Sequence, residues 1–196
     1  GGAGGSIWLT AGSLSGSGTV RAQGGDGLFD SQSSAGGGGR VSVILTGSSG
    51  VGGVDISARG GFGLRHDGAA GTIYREDVGQ SDGRGTLHVV NSRSNAFART
   101  YIPGELSPEF SNELARTTVE VEEIGSLLQV STNSLVKDIL MYTNTYLVLS
   151  NQLLYVNSAE HHLGTTKRGK GNTNRVDHYD QVIWIGLPKG TVFSIW

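Results

Sequence analysis

Three short strings in this 196-residue chain carry side chains that could do chemistry. In VDHYDQ, Val176 to Gln181, Asp177 and Asp180 flank His178. That set suits acid–base work, or oxygen ligation of calcium, if it faces a cleft. The same residue types before an apolar strand are also ordinary corner sequence. Glu160, His161 and His162 form the densest run of metal-ligand types. Neighbours on an extended strand point to opposite faces, so two adjacent histidines seldom share one ion, and the run reads as an exposed corner. GTTKRGKGN, Gly164 to Asn172, sets Gly164, Gly169 and Lys170 at phosphate-loop spacing. Gly171 stands where a magnesium-binding Ser or Thr belongs, and the residues after it do not read as a helix, so this is a basic loop.

Two glycine-rich phrases invite comparison with calcium-binding nonapeptides. GGDGLFDSQ puts Phe29, and GGFGLRHDG puts Arg65, where the ligand aspartate belongs, so both fail. No metal site and no cofactor is expected. Trp8, Tyr74, Tyr142, Tyr146 and Tyr155 read either as an aromatic ladder for sugar rings or as packing between neighbouring strands. Of these, Trp8 and Tyr74 are the candidate glycan contacts. There is no Asn-x-Ser/Thr sequon and no cysteine, which removes asparagine glycosylation by that route, disulfides and thiolate metal sites. A net charge of −2 does not favour nucleic acid as a partner, and no run is long and apolar enough to span a membrane as a helix.

The elements that must position these groups come in two textures. Of the 33 glycines, all but seven lie at or before residue 85. That first part says nearly the same thing three times: GGSIWLTAGSLSGSGTVRAQGG, GGRVSVILTGSSGVGGVDISARGG and AAGTIYREDVGQSDGRGTLHVVNS. Repetition of this kind marks a stacked array whose repeats bury their apolar faces against each other. Alternation puts Ile7, Leu9 and Ala11, then Val41, Val43 and Leu45, on an inner face, with Trp8, Ser42 and Tyr74 outside. Val20, Ile56 and Leu87 make a second inner column, and Arg21, Ser57 and His88 fall on its solvent side. Arg75 breaks the pattern, through a shifted unit or a buried partner. The runs Gly1 to Gly5 and Gly36 to Gly39 exceed what corners need, and read as flexible loops or as extended segments packed side by side.

Residues 95–118 form a connector in which SPEFSNELART reads as a short helix, with Ser107 as N-cap and Pro108 at its first position. The rest, 119–196, is rich in β-branched and aromatic residues, with apolar centres at Leu128, Ile139, Val148 and Leu154 between polar corners. TYLVLSNQLLYVNS also fits a hairpin across Ser150 and Asn151, so strand direction stays open. The organisation expected is glycine-rich repeats over 1–94, a connector over 95–118 and a β-rich part over 119–196 that continues the same core.

On the phrases GGSIWLTAGSLSGSGTVRAQGG, GGGGRVSVIL, AAGTIYREDVGQSDGRGTLHVVN, DILMYTNTYLVLSNQLLYVNS and NRVDHYDQVIW, the chain resembles glycine-rich parallel β-helix segments of large bacterial surface and secreted proteins. The resemblance implies a right-handed parallel β-helix serving as stalk, scaffold or adhesive surface, outside the cell or on its surface, with no catalytic motif to carry over. At roughly 22–25 residues per coil, eight coils are expected. Gly1 is no initiator residue and GTVFSIW ends the chain in strand-like sequence, which reads as a processed subunit or an excised piece with uncapped ends. The function expected is non-enzymatic: self-association into a fibre through end-to-end or strand-exchange contacts of Ile7, Trp8, Phe193, Ile195 and Trp196. The alternative is a polysaccharide-binding module, or a polysaccharide-degrading one using Asp177, His178 and Asp180.

Overall fold

Alternating apolar and polar residues, fenced by glycine, build strands that stack in parallel. In the computed structural model the described residues are 1–28, 31–80, 84–92, 98–102, 113–142, 144–158, 175–177 and 179–186. Ser6–Ala11 (β1), Arg40–Leu45 (β3) and Gly71–Glu76 (β5) lie side by side, with Ile7 against Val41 and Val41 against Ile73. Thr19–Arg21 (β2) pairs with Asp55–Ser57 (β4), Val20 against Ile56. Both columns of the first two repeats therefore align as their sequences do. Val41, Val43, Leu45, Ile56 and Ile73 are buried along the inner face and form one core.

The third repeat departs from the other two. Thr86–Val90 (β6) does not continue the second column. It turns back and runs antiparallel beside β5, with Tyr74 opposite Leu87 and Ile73 opposite His88. Leu87 is thus absent from the column of Val20 and Ile56, and His88 faces no open solvent. Nor does Ser57, which is buried and accepts a hydrogen bond from Gln23. Arg75 needs no shifted register: it pairs in line with Val43 where the sheet is about to reverse.

Beyond β6 parallel stacking resumes, with Thr118–Glu122 (β8) and Asp138–Met141 (β11) completing a six-stranded sheet of order β1-β3-β5-β6-β8-β11. A second wall holds Thr100–Ile102 (β7), Leu127–Val130 (β9), Tyr146–Val148 (β12) and Arg175–Asp177 (β14). A third holds Ser134–Val136 (β10), Leu154–Val156 (β13) and Val182–Trp184 (β15). The result is a parallel β-solenoid of about 4 turns, with almost no helix among the described residues. The eight coils expected are too many because the early coils are long: 34 residues separate Ile7 from its partner Val41, whereas 20 separate Val119 from Ile139. β12 and β13 pair in different walls, so the hairpin alternative is wrong. Ser150 and Asn151, both at positive φ, instead turn a solenoid corner. Arg116 and Thr117 N–H donate to the carbonyls of Glu113 and Leu114, closing the last turn of the expected connector helix, whose beginning lies outside the described residues.

The reversal at β6 changes which face of the sheet is buried. Residues opposite one another in an antiparallel pair share a face, as do in-register partners in this parallel sheet. Ile73 and His88 therefore lie on the face of the first core, while Leu87 shares a face with Val119 of the second. Val90 joins the first core and its neighbour Val89 the second. One sheet thus buries opposite faces in its two halves.

The glycine runs are packed segments rather than loops. Gly25 N–H donates to Gly2 O, Gly36 N–H to Gly25 O, and Gly61 N–H to Gly36 O, so neighbouring extended segments are cross-linked through their backbones. A Cβ on Gly36 would stand 1.9 Å from Gly2 O, a distance that no side chain tolerates. Buried Asn91 ties this glycine bundle to the second half: its Oδ1 accepts from Gly60 N–H at 3.1 Å, and its Nδ2 donates to Gly68 O at 3.1 Å and Gly125 O at 3.3 Å. Arg59 adds a two-pronged ion pair to Glu123, at 2.9 and 2.6 Å.

Candidate functional site

The residues expected to contact sugar do share a face. Trp8, Ser42 and Tyr74 are in-register neighbours on three parallel strands, with Trp8 76% exposed. Because the far half of the sheet buries this same face, Leu87 and Leu114 extend the strip, and together they line an apolar groove of about 730 Å³. Tyr74 donates to Glu76 Oε2 at 2.5 Å and accepts from Gly85 N–H at 3.2 Å. Burial, reinforced by that bond to a carboxylate, pushes its ionisation well above the ordinary tyrosine range.

The outer edge of β1 is the second feature. Ile7, Leu9 and Ala11 are only half-buried, although their in-register partners Val41, Val43 and Leu45 are buried. Thr46 N–H donates to Ala11 O and Arg40 N–H to Gly5 O, so the odd-numbered residues of β1 face β3. The backbone groups of Ser6, Trp8 and Thr10 point the other way, where no strand lies among the described residues. Of the five residues expected to mediate self-association, Ile7 and Trp8 belong to this edge; Phe193, Ile195 and Trp196 lie outside the described residues.

The third feature was not foreseen. His88, Glu120 and Glu122 sit together on the outer face of the second half, half-buried, where β6 and β8 run in parallel. His88 Nδ1 is 2.6 Å from Glu122 Oε1 and 3.6 Å from Glu120 Oε2. Hydrogen bonding to His88 holds the Glu122 carboxyl below its usual range, with help from Glu120 and the charge of Arg75. Desolvation and the hydrogen bond shared with Glu122 raise Glu120. Tyr142 donates to Glu120 Oε2 at 3.4 Å. A pocket of about 230 Å³ and mixed lining adjoins His88, walled by Val43, Leu45, Arg75, Gln80 and Thr86 among others. The alternation in TVEVE did place both glutamates on one face. What it could not supply was the partner strand, because His88 lies 32 residues upstream of Glu120 and on the strand that reverses.

Little of the other strings falls among the described residues. Asp177 ends β14, and Asp180 lies exposed in a 3-10 turn, Tyr179–Gln181; His178 lies outside the described residues. Glu160, His161, His162 and the basic loop from Gly164 to Asn172 also lie outside them. In the two glycine phrases tested for calcium, Asp26 accepts from Phe62 N–H at 2.7 Å and Asp67 from Gly63 N–H at 3.0 Å, so both carboxylates brace backbone.

Fold and site together define a glycine-braced parallel β-solenoid whose β1 edge is covered by no strand among the described residues. No protein-family model, curated protein or solved structure matches the chain.

Proposed function

We propose that this chain is a structural solenoid module that self-associates into a surface or extracellular fibre by adding a rung to β1, with no catalytic step. The observation that carries the reading is the β1 edge: three outward-facing backbone positions beside an inner column left half-exposed. Such an edge is a template for strand addition. The occupant is Thr191 to Trp196 of a second copy. TVFSIW has the six residues of β1, and its alternation offers Phe193 and Ile195 to one face. Seating them beside Ile7 and Leu9 would bury each large side chain for about 1.5–3 kcal/mol before the cost of association. The location outside the cell rests on the resemblance of the glycine phrases to surface proteins.

Negative-stain electron microscopy, with light scattering over a concentration series, tests this. Growth is expected, and deletion of 191–196 should abolish it while circular dichroism keeps most of the β signal. Thr10→Pro should also block growth, since it removes an outward N–H from an edge position that tolerates proline. A chain that stays monomeric at every concentration, or that grows unchanged after both alterations, would overturn the proposal.

The apolar groove favours a second reading, retention of polysaccharide. Sugar rings stack on aromatic faces, and Trp8 and Tyr74 stand two strands apart on one flat surface, about 10 Å at the usual strand spacing. Trp8→Ala and Tyr74→Ala should each weaken retention on a glycan matrix. Retention that ignores both substitutions would remove this reading.

A further inference from the structure

We propose that His88, Glu120 and Glu122 form a binding site for a divalent transition metal of the zinc class. The three ligand atoms, one imidazole nitrogen and two carboxylate oxygens, all lie within 4.8 Å of one another. Tetrahedral zinc, with bonds of about 2.0–2.2 Å, needs its ligand atoms roughly 3.3–3.5 Å apart. The observed 2.6 and 3.6 Å bracket that value, so small side-chain rotations on fixed strands suffice. Parallel register supplies the rigidity. His88 and Glu120 are in-register neighbours, and Glu122 follows two residues along the same face, in register with Val90.

The donor set selects the ion class. Calcium and magnesium take oxygen ligands and gain nothing from an imidazole, whereas one nitrogen with two carboxylates suits zinc and cobalt. Partial burial cuts competition from water, with side-chain exposures of 16% for His88, 19% for Glu120 and 30% for Glu122. A pocket of mixed lining opens beside His88, the one ligand of the three that borders it. Tyr142, bonded to Glu120, supplies the outer-shell contact that orients a ligating carboxylate. Arg75 offsets part of the negative charge, which weakens the attraction for a cation. The metal takes the neutral imidazole through Nδ1, with the ring proton on Nε2, and the carboxylate forms of both glutamates, so any further proton held among the three groups is released to solvent on binding.

The test uses the full chain and Co2+ as probe, read by its visible absorption, with Zn2+ competition. One equivalent should bind His88 and give the intense bands of a four- or five-coordinate site. His88→Ala and Glu122→Gln should each weaken binding about 100-fold or more, exceeding the usual loss for an outer-shell contact. A His161→Ala/His162→Ala variant, which removes the other histidine pair, should bind as the parent does. Circular dichroism checks that each variant is folded. If His88→Ala fails to fold, nitrogen NMR of the parent replaces it, and Zn2+ should shift Nδ1 rather than Nε2 of His88. No saturable binding, a signal lost only with His161 and His162, or an unshifted Nδ1 would overturn the assignment.

Discussion

Tyr74 shows how much a single side chain owes to the strand reversal. It lies opposite Leu87 only because β6 turns back, and that closeness brings Gly85 against its ring: a Cβ on Gly85 would stand 2.6 Å from Tyr74 Cζ. The unfolded chain gives up this hydroxyl proton near pH 10.0, while the folded chain holds it to higher pH. Between those two values the native state binds more protons, so the contribution is complete below pH 10 and fades as pH rises above it. Tyr74→Phe should therefore flatten the loss of stability above pH 10 in denaturant titrations, and remove one late-ionising tyrosine from the ultraviolet titration. The outward position of Tyr74 was legible from alternation. The companionship of His88 with Glu120 and Glu122 was not, since it depends on a change of strand direction that alternation cannot encode.

Among the elements, the glycine segments carry the sharpest contrast between what patterning reveals and what packing adds. Composition left loop and packed segment equally open. Close approach decides it, because carbonyl oxygens occupy the space where side chains would stand. Gly36→Ala should cost about 1–3 kcal/mol, as overpacking does, and lower Tm by several degrees. Gly12→Ala, whose Cβ would meet nothing within 4 Å, should stay within about 0.5 kcal/mol. Equal effects would mean that the bundle is loose. The strands of the first two repeats were readable because similar phrases with the same alternation stack alike. The third departs from them because it keeps the phrase and alters its use: Arg75 at an inner position is the visible sign, and it marks the last strand before the reversal.

At the scale of the whole molecule, two cores share one sheet, and Asn91 and the Arg59–Glu123 pair fasten the glycine bundle to the second half. A single cooperative unfolding transition is expected, with Trp8 in the first half and Trp184 in the second reporting the same midpoint once the other tryptophans are replaced by Phe. Val43→Ala and Val121→Ala, one in each core, should both move that one midpoint. Asn91→Ala strands Gly60 N–H and two carbonyls and should cost about 1–3 kcal/mol. If it instead splits the transition in two, the halves are joined chiefly through this side chain. The reversal at β6 also bears on how such a molecule could lengthen. Coils inserted before β5 would inherit glycine padding and the first interior, while coils inserted after β8 would inherit polar corners and the second. Neither addition would disturb the other's interior, so the antiparallel strand acts as a splice between two independently extensible rulers.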